Sequence, residues 1–158
     1  MNGWPTNELG RNPTNWTGIW YGIIETFPKN ELGSGWNVKL EIGNYPMKDF
    51  TCTIWKSIFT ENDSIKTIKD YQLCRGNHLN DLYIDEGNNV TIKIQWINKM
   101  FISSFKYKGV LAISTMKMFE NILEEDILII DDYPADENHV TSLRIQSIHR
   151  MKMKRMFN

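Results

Sequence analysis

The chain reads as an all-β protein, a single antiparallel up-and-down β-barrel of about ten strands with little helix. Three observations carry that reading. Apolar residues recur with a period of two, the segments that show it are separated by short turn-forming clusters, and no stretch carries a convincing helical stripe. Sequential strands that each have one apolar face must hide that face and their unpaired edges, and closure into a barrel does both. Two stacked sheets would produce the same periodicity and are the alternative.

The first strand falls in the run 16–27, "WTGIWYGIIETF". Trp16, Gly18, Trp20 and Gly22 share one side of it, so two indoles alternate with two positions that have no side chain. That surface is shaped around a neighbouring backbone, a closed barrel end or a ligand. "WNVKLEI" then sets Trp36, Val38, Leu40 and Ile42 against Asn37, Lys39 and Glu41. Runs at 50–59 and 66–75 flank the turn "ENDS", and a run at 80–85 follows "RGNHLN". "VTIKIQW" alternates through Val90, Ile92, Ile94 and Trp96, and further runs occupy 99–107, 110–118 and 123–131. The last, "SLRIQSIHRMKM", carries Leu143, Ile145, His149, Met151 and Met153 on one side and Arg144, Gln146, Arg150 and Lys152 on the other. "STMKMFENILEEDI" has room for a turn or two of helix, and Pro5 to Asn15 for a short lid. With no internal repeat, low-complexity tract or linker, the expectation is one domain, 1–158.

A chain of 158 residues buries about two thirds of its unfolded surface, enough for a core without metal or disulfide staples. Its 18 basic and 19 acidic side chains leave a formal net charge of -1, which provides no global field for nucleic acid, and none is expected as a partner. The one basic cluster, Arg150, Lys152 and Lys154, alternates with Met151, Met153 and Phe157, as the solvated face of a final strand does; a phosphate-binding patch is the alternative. The first residues lack the basic start and apolar run of a secretory signal. The longest aliphatic run, Ile127 to Ile130, is far short of the ~20 residues of a membrane span. Sequons at Asn15, Asn62 and Asn89 are attributed to a composition rich in Asn, Ser and Thr. A hairpin turning near Asp63 sets Cys52 opposite Cys74, so a cross-strand disulfide is permitted. Without a visible signal peptide the expectation is two free thiols in the cytoplasm, with secretion implied if the pair is bridged.

On a meander of this kind the motif "TGIWYG" resembles the lipocalin signature, G-x-W followed by an aromatic on the first strand, matched by Gly18, Trp20 and Tyr21. The resemblance implies that Trp20 closes one barrel end beneath an arginine of the last strand. Arg144, Arg150 and Arg155 are available, and Arg150 is taken for the part. Gly18 would let the strand cross close beneath the ring, and Gly22 would ease a tight coil. Lipocalins usually carry a threonine-aspartate-tyrosine motif two strands before the end, whereas "DDY" at Asp131 to Tyr133 precedes only one long strand here. Ten strands look more like fatty-acid-binding or nitrobindin-type barrels, or calycin-like bilin lyases. The resemblance is therefore to the broad calycin superfamily.

Catalytic and metal motifs are absent from the sequence. His78, His139 and His149 fall in separate segments without ligand spacing, and there is no nucleophile elbow or glycine-rich phosphate loop, so no metal and no cofactor is expected. Alternation places His149 on the apolar face of the last strand. There it either has its nitrogens satisfied by Tyr, Ser147 or water, or serves haem iron, proton transfer or a ligand's polar end. Inward aromatics Trp36, Trp55, Trp96, Phe101, Phe105 and Tyr107, with Met116, Met118, Met151 and Met153 as adaptable filler, line a cavity or pack a core. Of Glu124, Glu125, Asp126, Asp131 and Asp132, one that faced inward would be an acid or base, and nothing in the sequence selects it.

The function expected is binding of a small hydrophobic or conjugated ligand inside the barrel, with His149 or an arginine orienting it. An enzyme on the same barrel, a lyase, isomerase or cyclase, is the alternative, and a filled barrel would be an interaction domain. Interior volume separates them: a void of roughly a few hundred cubic ångströms keeps the first two, and a filled core leaves the third. Oligomeric state is not read from the sequence.

Overall fold

A computed structural model of the chain describes residues 3–4, 15–29 and 35–156. Ten strands form one closed antiparallel barrel: β1 (Gly18–Phe27), β2 (Trp36–Ile42), β3 (Thr51–Glu61), β4 (Ser64–Arg75), β5 (Leu82–Gly87), β6 (Val90–Ile97), β7 (Met100–Tyr107), β8 (Val110–Phe119), β9 (Ile122–Asp131) and β10 (Ile145–Arg155). Each strand pairs with the next along the chain, and β1 pairs with β10 to complete the ring. Every run of alternating residues identified in the sequence became a strand, because a two-residue period buries one face only when the segment is extended. Tight reversals place Asn62, Asp63, Asn88, Asn89, Asn98, Lys99 and Lys108 at positive φ, the left-handed backbone that short hairpin turns require and asparagine and aspartate tolerate.

"STMKMFENILEEDI" is not helical. It is the β8–β9 hairpin, reversed through Glu120, which sits at a φ of 56°. Met116, Met118 and Leu123 keep the two-residue phase across it, and a helix would break that phase. The proposed lid falls mostly in 5–14, and Phe157 is beyond 156; both lie outside the described residues.

Strand direction gives the barrel two distinct ends. At one, where β1 begins and β10 finishes, the interior is filled by Trp4, Trp16, Trp20, Tyr45, Trp96 and Phe101. At the other lie the turns 62–63, 88–89 and 108–109 and the long connection from β9 to β10. The glycines of the first strand have separate jobs. Gly18 has a φ of 141°, which side chains rarely adopt. At Gly22 a Cβ would overlap the Lys152 carbonyl and lie 2.8 Å from the Met153 Cα. What the small residue admits there is neighbouring backbone, at the seam where β10 closes on β1.

The cysteines correct the expectation of free thiols. Cys52 and Cys74 are cross-strand partners of β3 and β4 and form a disulfide. The register is the one implied by a hairpin turning near Asp63, and it brings the two strands' cysteines directly opposite each other. No helix among the described residues is long and apolar enough to cross a membrane.

Candidate functional site

The aromatic end is a packed plug in which three indole nitrogens are hydrogen-bonded, while Nε of the arginine at its edge, Arg155, is buried with no hydrogen-bond partner among the described residues. Trp16 stacks on Trp4 with centroids 5.5 Å apart, and Trp96 stacks on Phe101 at 4.4 Å. Trp16 presents its edge to Trp96 at 5.1 Å, linking the two stacks. The indole nitrogens donate outward from this mass: Trp20 to the Trp16 carbonyl at 2.9 Å, Trp96 to the Tyr45 hydroxyl at 3.0 Å and Trp4 to the Thr17 hydroxyl at 3.0 Å. The Arg155 guanidinium lies over the Trp20 ring, 4.6 Å from its centroid. It also donates to the Asn15 carbonyl and reaches the Met118 sulfur at 3.7 Å. Burial lowers the pKa of Arg155 from its ordinary value.

Arg155, not Arg150, is therefore the arginine over Trp20. Arg150 is out of phase with Met151 and Met153 and faces outward, where its Nε and Nη2 donate to the two Asp126 carboxylate oxygens at 2.7 and 3.2 Å. Arg144 stands near the opposite end, donating to Asp131 at 2.8 Å.

Above the plug the lumen holds a cavity of about 160 Å³. Trp55, Phe101, Phe105, Met116 and Met151 wall it, together with Ile24, Leu40, Phe59, Ile84, Ile92, Ile94 and Ile127. The remaining sequence candidates stand elsewhere. Trp96 belongs to the plug. Trp36, at the start of β2, donates to Glu61 at 3.1 Å, and Tyr107 is 65% exposed at the rim with Lys108 over its ring. His149 is half-buried opposite Thr26 and Ile127, and Met151 is the residue β10 contributes to the cavity wall.

Polar residues complete the wall: Ser57, Lys69, Tyr71, Glu86, Ser103, Ser114 and Glu125. Glu125 is the central one. It sits on β9 between Met116 of β8 and Met151 of β10, is half-buried, and lines the cavity. Ser114 donates to its Oε2 at 2.7 Å. Burial raises the Glu125 pKa, the Ser114 hydrogen bond and the Lys69 charge oppose the rise, and adjacent Asp126 adds to it. Across the barrel, burial and then the Glu86 charge raise the pKa of Tyr71. In the sequence Glu125 is one member of an acidic run, with no feature of that run to single it out. The usable signal was its phase, shared with Leu123 and Ile127.

A larger hollow of about 520 Å³ lies at the plugged end among Asn98, Lys99, Lys117, Phe119, Glu124 and Lys152. Lys117, Phe119 and Lys152 are exposed there, so it is an outer surface groove, whereas the first cavity lies within the ring of strands. Among the described residues no group of three or more His, Cys, Asp or Glu is placed to hold a metal ion.

No protein-family model, curated protein or solved structure matches the chain.

Proposed function

We propose that this barrel binds a small hydrophobic ligand in its lumen, on the plan of the calycin superfamily. The single observation that carries the reading is the cavity above the plug, about 160 Å³ and walled by Trp55, Phe101, Phe105, Met116 and Met151. The cavity is smaller than the few hundred cubic ångströms expected of a ligand-binding barrel, and one of roughly 150 Å³ accepts a single benzene ring. The ligand is thus a single ring, a short chain, or one end of something longer that projects past Phe105. The calycin assignment draws on the closed antiparallel barrel and on Arg155 over Trp20 beside Gly18. The Cys52–Cys74 bridge favours an oxidising compartment over the cytoplasm.

Native mass spectrometry of protein purified from its own cells tests the reading. A retained small molecule that is lost from a Ser103→Trp variant, whose indole fills the cavity, is the expected result. A protein that carries nothing, and whose melting temperature is unmoved by toluene or indole, is a packed interaction domain instead. An enzyme on the same site is the second reading, and Glu125 is the observation that favours it. A half-buried carboxyl whose pKa desolvation raises, hydrogen-bonded to Ser114, is suited to give a proton to an enclosed substrate.

A further inference from the structure

The lumen carries more negative than positive charge. Its wall holds two carboxylates, Glu86 and Glu125, against one cation, Lys69. Lys69 is exposed, and its ammonium rests over the Phe59 ring, 5.5 Å from the centroid. Glu125 lies among side chains that offer no counter-charge at contact: Met116, Met151 and Ile127, with the Ser114 hydroxyl as its one described donor. Aromatic rings of Trp55, Tyr71 and Phe105 also line the wall, and a cation is the charge that an aromatic ring face attracts. An anionic ligand would meet two like charges here. A neutral one would leave the Glu125 carboxylate with the Ser114 hydroxyl as its one described donor and no counter-charge in contact.

We infer that the ligand is a small aromatic amine, taken up as its ammonium ion. This inference rests on the lumen being a ligand site. The ammonium donates to the Glu125 carboxylate and supplies a counter-charge in direct contact with it. Ser103, the cross-strand neighbour of Ser114, offers a hydroxyl oxygen for a second ammonium hydrogen. The ring packs against Trp55 and Phe101, whose centroids stand 5.8 Å apart at the base of the cavity. Cavity size limits the body to about one ring.

The test is a calorimetric titration of the wild-type protein at pH 7.5 with three probes of one shape: benzylamine, toluene and benzoate. Benzylamine should bind about tenfold or more tightly than toluene, as a charge-assisted hydrogen bond provides, and benzoate most weakly. In Glu125→Gln, close in shape to the native residue, the benzylamine advantage should fall by about tenfold while toluene affinity stays within about twofold. Toluene binding as tightly as benzylamine, or benzoate binding best, overturns the amine assignment and leaves the lumen as a ligand site. Binding of none of the three overturns both. If Glu125→Gln does not fold, the wild-type ranking of the three probes decides alone.

Discussion

The guanidinium of Arg155, near the end of β10, caps the ring of Trp20 near the start of β1, 4.6 Å from its centroid. The two residues are direct partners across the β1–β10 pair, so the contact fastens the place where the barrel closes. Trp20→Ala removes a fully buried indole from this junction and should destabilise the protein by about 3 to 5 kcal/mol. Denaturant unfolding measures it, and a loss under about 1 kcal/mol would mean that the ring is not a structural keystone. Arg150→Ala gives the comparison: its pair with Asp126 is on the outer face, and the loss should stay within about 1 kcal/mol.

Gly22→Ala probes the seam itself. The added methyl would overlap the backbone of Lys152, and backbone cannot move aside as a flexible side chain can. A loss at or beyond the upper end of the roughly 1 to 3 kcal/mol typical of overpacking is expected. Gly87→Ala has open space around it and meets only the cost of its φ of 84°, about 1 to 2 kcal/mol. Equal melting temperatures for Gly22→Ala and wild type would contradict the close approach of β10.

Thiol titration of unreduced, unfolded protein should find no free cysteine, since Cys52 and Cys74 are joined. The bridge spans 22 positions, and replacing both residues by Ala should lower stability by about 3 kcal/mol through the freed unfolded chain. Two titratable thiols in native protein would return the reading to a reducing compartment.

Glu125 makes stability depend on pH in a defined direction. Its pKa is raised in the folded protein, by burial first, with Ser114 and Lys69 opposing and Asp126 adding. A raised carboxyl favours the folded state below its unfolded pKa, and that contribution is lost as pH rises through the folded value. The ligand-free Glu125→Gln protein, whose side chain stays neutral, should therefore gain on wild type between acid and neutral pH. Paired unfolding curves at pH 4 and pH 7 measure it; a difference that does not widen toward neutrality would show that Glu125 is not desolvated. Benzylamine should offset part of the penalty at pH 7, because it supplies the missing charge.

Strand positions were legible in the sequence because alternation and turn chemistry are local properties. "WNVKLEI" and "VTIKIQW" each declare a face without reference to any other segment. Depth along the barrel is not local. Trp55 and Trp96 both point inward, yet one walls the cavity and the other packs the plug, because strand tilt and register set their heights. Phe105 and Tyr107 differ in the same way, one position reaching the lumen and the next inward position standing at the rim. Arg150 could have been set aside by phase alone, since Arg155 and not Arg150 keeps step with Met151 and Met153. For Glu125 the phase was blurred by the aliphatic run 127–130, which gives both faces of β9 the same character.

The order of strands around the ring also sets the order in which the ring can assemble. Nine of its ten neighbour pairs are hairpins between consecutive strands; the tenth, β1 with β10, joins opposite ends of the sequence. Closing that pair requires a loop that encloses the rest of the barrel, and long-range closure is the slow step in β topologies. β1 begins and β10 finishes at the same plugged end, so a short peptide can bridge them. A circular permutant joined there, and opened at the exposed turn of residues 88–89, turns the seam into an ordinary hairpin and moves the late closure to β5 and β6, at the far side of the ring.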